Sequence, residues 1–296
     1  QLIQRHKLAQ NKKEDFRTFN DTHQEIELKF IESETELLSQ LADIEYLDTW
    51  QFKYAWYERA PNLKRLFTPA AGREYIDAHP RVPIHFGTFH GEMMAETALG
   101  LVMQSSLRLA EYRAQQANRV WHRLPLRLMK NQTVMILGYG SIGRTCGKLL
   151  QSNGMQVIGV KRQTIESDDN GIKLIATNEL EQWLPNMDHV ISFLPDDHST
   201  KHFVGSALLS CCKTSAYFYN FGRGATVDES ALIAALQNGE ITGAALDVTE
   251  IEPLPEKSAL WGNPKVTLLP HASAYYEEYR NAHVTDVTDL ISSLNK

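Results

Sequence analysis

Residues 133–144 read TVMILGYGSIGR, and their types and spacing suit one kind of chemistry. An apolar strand runs into Gly138-Tyr139-Gly140-Ser141-Ile142-Gly143, and a helical pattern follows over residues 144–151. This is G-x-G-x-x-G between a strand and a helix, the setting in which a backbone cradles a dinucleotide. Gly138 permits the tight turn, Gly140 leaves room for a pyrophosphate, and Gly143 lets helix and strand pack closely. The free N–H groups at the helix start, with the positive end of its dipole, hold the phosphates. An ordinary tight strand–helix turn uses glycines for packing alone, so the motif by itself leaves that alternative open.

The next strand, residues 156–160, leads into Lys161-Arg162-Gln163-Thr164. An NAD site is expected to carry an acidic residue here, about 20 residues beyond the glycines, to read the ribose hydroxyls. None is present. A carboxylate repels a 2′-phosphate, whereas Lys161 and Arg162 attract it, and Arg adds a fork and a stacking plane. The residues therefore favour NADPH, with NADH possible. A solvated basic turn is the alternative.

Composition sets outer limits. The chain has 296 residues, 43% hydrophobic and 22% charged, with a formal net charge of −6. That length predicts two domains. The acidic balance argues against nucleic acid or an anionic membrane as partner. No apolar run approaches the roughly 20 residues that span a bilayer. Residues 1–16 lack the apolar core of a secretory signal. With no initiating Met, the sequence is read as starting inside a longer chain. The three cysteines are Cys146, Cys211 and Cys212. They show no metal-ligand spacing, and the adjacent pair is badly placed to bridge. A reducing cytoplasm is expected, with Cys146 a small packed residue and no metal.

The elements that must position these residues alternate. Strands are predicted near residues 2–3, 26–31, 44–47, 63–67 and 82–86, with a helix from about residue 9, another over 37–42 opened by Ser33, and a third over 54–60. A long helix is predicted from 92 to 117. After the glycine loop come strands at 156–160, 173–175, 189–194, 216–219, 243–248 and 265–269. Helices are predicted at 178–184, 205–211 and 229–238, and a last one over 274–294. Asp228 stands at the start of the 229–238 helix and Gly239 closes it. Strands alternating with helices imply parallel βαβ units and a doubly wound sheet.

Three later stretches belong together: Asn220-Phe221-Gly222-Arg223-Gly224, Ala245-Leu246-Asp247 to Glu252-Pro253, and Leu269-Pro270-His271. In order and spacing they resemble the D-isomer-specific 2-hydroxyacid dehydrogenase family. The resemblance spans nearly the whole chain. Residues 94–99 resemble the family's hinge helix, and Leu194-Pro195 to Thr200 its nicotinamide-side loop.

The resemblance implies three catalytic residues. Arg223 would bind the substrate carboxylate and polarise its carbonyl. His271 would be the acid/base. Glu252 would pair with His271 and favour its protonated form, with Glu250 as the competing carboxylate. Leu194, Pro195, Thr200, Phe221 and Asp247 would touch the cofactor, and Ala71 and Gly72 would offer backbone N–H groups to the substrate. The chemistry agrees: reducing a 2-keto acid needs a cation for the carboxylate, a proton donor for the nascent alkoxide, and a hydride. Ala70 and Arg73 depart from the family's loop; Arg73 is read as a surface residue, with a second carboxylate contact as the alternative, and His90 as structural, with a substrate contact as the alternative. Tyr275 and Tyr276 are open between the site wall and packing.

The expected architecture is α/β: two doubly wound parallel-sheet domains, one a Rossmann dinucleotide-binding domain and the other smaller and flavodoxin-like. Residues 1–92 with 273–296 would form the substrate domain and 93–272 the dinucleotide domain, with the active site in the cleft between. The expected activity is hydride transfer between NADPH, or NADH, and a small 2-keto acid to give a D-2-hydroxy acid, as in glyoxylate/hydroxypyruvate reductases. A homodimer through residues 92–129, with Trp121, goes with that reading. The alternative is a dinucleotide-sensing, corepressor-like binding protein with little turnover.

Overall fold

A computed structural model describes residues 2–5, 28–163 and 170–294. The helix expected from residue 9 lies outside them. The chain forms two compact units, Gln1–His90 with Tyr276–Lys296, and Gly91–Tyr275.

The first unit holds a five-stranded sheet ordered β2-β1-β3-β4-β5. Its strands are β1 (Leu2–Arg5), β2 (Leu28–Ile31), β3 (Tyr46–Thr49), β4 (Arg65–Thr68) and β5 (Ile84–Phe86). Every pairing is parallel. Helix α1 (Glu34–Gln40) starts where the sequence indicates, because the Ser33 hydroxyl accepts the Glu36 N–H at 3.1 Å. The expected helix at 54–60 is a 3-10 turn, Tyr54–Arg59. Alternation along β4 splits the core. Leu66 packs with Leu37, Leu47 and Tyr57, while its neighbour Phe67 packs with Val284, Val287 and Ile291 of the last helix.

The second unit carries the seven-stranded sheet β12-β11-β10-β9-β6-β7-β8, again parallel throughout. Its strands are β6 (Thr133–Leu137), β7 (Gln156–Lys161), β8 (Lys173–Ala176), β9 (His189–Ser192), β10 (Tyr217–Asn220), β11 (Gly243–Leu246) and β12 (Val266–Leu268). Strand β6 again sorts the core by period two. Val134 and Ile136 meet Ala98 and Val102 on one face, with Cys146 and Leu150. Met135 and Leu137 meet Leu208, Leu209 and Leu232 on the other. Helices on both faces make the sheet doubly wound.

The long helix expected over 92–117 is two. Helix α2 (His90–Ser106) stops two residues before Arg108, whose φ of 53° is left-handed, and α3 (Leu109–Ala117) restarts beyond it. A left-handed residue stops the ladder of helical hydrogen bonds. Nothing in α3 is buried, so no core contact holds the two segments in line. The glycine-loop helix is α4 (Ser141–Ser152), followed by α5 (Leu180–Trp183) and α6 (Ser206–Ser210). Helix α7 (Glu229–Asn238) has both expected ends: the Asp228 carboxylate accepts the Ala231 N–H at 2.9 Å, and Gly239 closes it at φ 74°. The last helix, α8 (Tyr279–Leu294), starts later than its apolar pattern indicates.

Candidate active site

One register row crosses the second sheet near its carboxyl edge. Leu268 pairs with Leu246, Leu246 with Asn220, Asn220 with Ser192, Ser192 with Leu137, and Leu137 with Val160. Each expected site residue of this unit leaves the sheet just beyond that row or on the turn that follows. In open α/β sheets the crevice outside the carboxyl ends of the strands is where ligands bind.

The glycines behave as their spacing requires. Gly138 has φ 82°, and a Cβ there would stand 2.9 Å from the backbone of Phe193. A Cβ on Gly143 would lie 2.6 Å from the Gly138 carbonyl oxygen. At Gly140 a Cβ would meet nothing within 4 Å, so the chain leaves open space at the start of α4. Gly140 is also the N-cap of α4 and supplies no side chain to its first N–H groups. An open cradle beside uncapped donors fits a pyrophosphate. Tyr139 turns the other way: its ring is buried against Gly147 and Gly159. Phe221 is likewise buried, stacked on Phe193 at 5.6 Å. Both were expected at the cofactor, but their rings are spent on packing, because a loop motif does not say whether a side chain points in or out.

The loop after β9 is clasped by Thr200. Its hydroxyl lies 2.6 Å from the Pro195 carbonyl oxygen and accepts the Asp197 N–H at 3.0 Å. The turn after β10 packs directly against this loop and against the one after β11. A Cβ on Gly222 would meet the backbone of Leu194, and one on Gly224 the backbone of Thr249, both well inside contact distance. Arg223 is carried between these two glycines. Its Nη1 donates to the Gly222 carbonyl at 2.8 Å, and its own carbonyl accepts from Asn220 and Thr226.

His271 sits beyond β12 with φ 53°, an uncommon conformation for a residue with a Cβ. The surrounding bonds enforce it. The His271 N–H donates to the Asp247 carbonyl at 2.8 Å, and the Asp247 carboxylate accepts the Ala272 N–H at 2.7 Å, the Ser273 N–H at 3.0 Å and the Ser273 hydroxyl at 2.5 Å. Thr97 of α2 donates to the Ser273 carbonyl at 2.8 Å. Asp247 thus stands at the strand end where it was expected, with its side chain committed to the His271 turn. No sequence signal marked Ser273 as its partner.

Glu252 meets His271: Nδ1 and Oε2 are 2.8 Å apart. The other carboxylate oxygen accepts the Thr249 N–H at 3.2 Å. Glu250, the competitor, is taken up elsewhere, by the Glu229 N–H at 3.2 Å and His202 at 3.3 Å. With Nδ1–H given to Glu252, the Nε2 of His271 is the nitrogen left to exchange a proton.

Lys161 ends β7. Arg162 follows it and donates to Asp197 at 2.7 Å and to the Ser199 hydroxyl at 3.1 Å, two partners the sequence reading did not anticipate. In the first unit, Ala71 and Gly72 lie on the loop after β4, and Arg73 is exposed with its guanidinium 5.2 Å over the Phe86 ring. His90 is buried, stacked on Phe89 at 4.3 Å and 3.2 Å from the Gly87 carbonyl, and burial holds its pKa below the ordinary value. That is a structural role. Tyr275 is exposed.

Comparison with known proteins shows the family. Residues 99–273 match the family model described as D-isomer specific 2-hydroxyacid dehydrogenase, NAD binding domain. Glyoxylate/hydroxypyruvate reductase B of Klebsiella pneumoniae is 34% identical over 254 residues, 81% of this chain and 78% of that one. Glyoxylate/hydroxypyruvate reductase A of Photorhabdus laumondii is 33% identical over 241 residues, 78% of this chain and 77% of that one. Among solved structures, a D-isomer specific 2-hydroxyacid dehydrogenase from Xanthobacter autotrophicus Py2, in complex with NADPH and MES, superposes with a TM-score of 0.85 at 25% identity, covering 98% of this chain and 94% of that one. The chain belongs to the D-isomer-specific 2-hydroxyacid dehydrogenase family. It is an NAD(P)-dependent oxidoreductase, and the match to the NAD-binding-domain model, residues 99–273, falls within the seven-stranded unit.

Proposed function

We propose that the protein is an NADPH-preferring reductase of a small 2-keto acid, of the glyoxylate or hydroxypyruvate kind, yielding the D-2-hydroxy acid. The observation that carries this reading is the 2.8 Å Glu252–His271 pair on the same sheet edge as Arg223 and the open cradle at Gly140. The two curated relatives act on glyoxylate and hydroxypyruvate by name, and the Xanthobacter structure holds NADPH.

Gly140 and the first N–H groups of α4 hold the pyrophosphate, and Lys161 and Arg162 take the 2′-phosphate. The bound dinucleotide supplies a hydride equivalent. Arg223 binds the substrate carboxylate and draws charge onto the keto oxygen. His271 delivers a proton from Nε2 to that oxygen as the carbonyl carbon is reduced, and the Glu252 carboxylate holds the ring through Nδ1. Keto acid, hydride and one proton thus become hydroxy acid.

The reading includes a homodimer formed through residues 92–129. Met103, Leu109, Val120, Trp121, Leu126 and Leu128 are all exposed there, apolar side chains of the kind an interface covers. It also includes the cytoplasm as location, in keeping with three unpaired cysteines and a reduced-nucleotide substrate. No helix among the described residues is long and apolar enough to cross a membrane.

The test is a panel of 2-keto acids assayed with NADPH and NADH. Turnover is expected with NADPH and a short keto acid. Tight nucleotide binding without turnover on any member would refute the reading and favour a nucleotide-sensing protein.

A further inference from the structure

Strand order gives the Arg162–Asp197 contact its meaning. Strands β7 and β9 flank β6, whose carboxyl end is the glycine loop. Arg162 follows β7 and Asp197 follows β9, yet Nη2 and Oδ2 are 2.7 Å apart. The pair therefore joins the two neighbours of the glycine-loop strand, at the edge where the dinucleotide binds. Asp197 is well set as an anion. The Ser199 hydroxyl and N–H donate to its Oδ1 at 2.5 and 2.8 Å, and these bonds, with Arg162, hold its carboxyl below the ordinary range. The same guanidinium is one of two cations available to the 2′-phosphate of NADPH.

We infer that Asp197 is a specificity-determining residue for the cofactor: its carboxylate competes with the 2′-phosphate for Arg162 and so narrows the preference for NADPH over NADH. The inference rests on the assignment of Lys161 and Arg162 to the 2′-phosphate. Binding of NADPH exchanges one anion for another on Arg162, leaving the carboxylate of Asp197 near the incoming phosphate. NADH has no phosphate at this position and leaves the pair intact. The pair is exposed, with Arg162 at 74% and Asp197 at 38%, so the competition is modest and weakens with salt.

The experiment measures NADPH and NADH affinities directly by calorimetry, without substrate, for wild type, Asp197→Asn, Arg162→Ala and the double variant. Asparagine keeps the Oδ1 acceptor that Ser199 uses and removes the charge. Asp197→Asn is expected to tighten NADPH roughly twofold to fivefold at low salt while NADH is essentially unchanged. In the Arg162→Ala background the gain for NADPH shrinks, leaving only the relief of direct repulsion between Asp197 and the phosphate. No gain, an equal gain for both nucleotides, or weaker NADPH binding overturns the inference; weaker binding would mean that Asp197 serves to orient Arg162. If Arg162→Ala leaves the NADPH-to-NADH affinity ratio unchanged, the phosphate assignment itself has failed. If that ratio falls but Asp197→Asn does not raise it, only the competition has failed.

Discussion

Replacing Glu252 with Gln tests the acid/base pair at its most informative point. The substitution keeps the size of the side chain and an oxygen to accept the Thr249 N–H, now at 3.2 Å, and puts a neutral amide NH2 where the charged Oε2 accepts from His271. Two unit charges about 4 Å apart interact by about 1 kcal/mol in water and about 4 kcal/mol at an effective dielectric of 20. The side chains of His271 and Glu252 are 44% and 39% exposed, which places the pair between those limits. Taking about 2 kcal/mol gives a fall in kcat of roughly thirtyfold. Removing the acid itself, His271→Ala, is expected to cost more, about 10²- to 10⁴-fold. Both are read by reduced-nucleotide oxidation under saturating keto acid, with nucleotide affinity as the control on folding. Glu250→Gln, which alters the carboxylate bound to α7 and His202, should leave kcat near wild type. If Glu252→Gln leaves kcat untouched, the carboxylate is a bystander. If it matches His271→Ala, Glu252 acts by holding the loop in shape, and the electrostatic argument is refuted.

Other consequences follow from single contacts. Arg223→Lys keeps a cation but not the fork, so kcat/KM should fall by roughly 10²-fold, and Arg223→Ala further, with nucleotide affinity little changed. The glycine loop separates binding from folding: Gly140→Ala enters open space, so Tm should hold while NADPH affinity falls, whereas Gly143→Ala puts a Cβ 2.6 Å from a backbone oxygen and should lower Tm as well. Unchanged NADPH affinity in Gly140→Ala would argue against a pyrophosphate there. His283 of α8 lies 2.9 Å from Asp48 of β3, the side chains 4% and 0% exposed. Burial alone would lower the His283 pKa, but the Asp48 charge and hydrogen bond override it, and the folded value is raised. Its contribution is therefore complete below the unfolded pKa of about 6.5 and is lost as pH rises through the folded value. Thermal unfolding across that window should show His283→Gln destabilised by about 3 kcal/mol at low pH and less sensitive to pH than wild type; parallel curves would contradict the ion pair.

What was legible in the sequence was local or carried by motif spacing. Gly138, Gly140 and Gly143 each meet the neighbour, or the empty space, that their positions in the motif demand, because a tight turn fixes its own geometry. Spacing also favours Glu252 over Glu250, and it is Glu252 that meets His271. The break at Arg108 was not legible. The apolar period of α2 runs on into polar sequence, and a left-handed arginine leaves no compositional trace. The Arg162–Asp197 pair was hidden for another reason. Its partners lie 35 residues apart and meet only because the sheet order puts β9 and β7 either side of β6. Asp247 was placed correctly on its strand end, but its hold on the Ser273 hydroxyl depends on how the turn after β12 folds back.

On the proposed function, hydride passes from bound NADPH to a 2-keto acid at the carboxyl edge of the seven-stranded sheet, with Arg223 and His271 acting on the substrate. The direct measurement uses NADPH deuterated at the transferable position of the nicotinamide, with glyoxylate and hydroxypyruvate as acceptors. Deuterium is expected at C2 of the product, with the D configuration for hydroxypyruvate, and transfer is lost in His271→Ala with nucleotide still bound. Bound NADPH with no deuterium in either product, or undiminished transfer in His271→Ala, would contradict it.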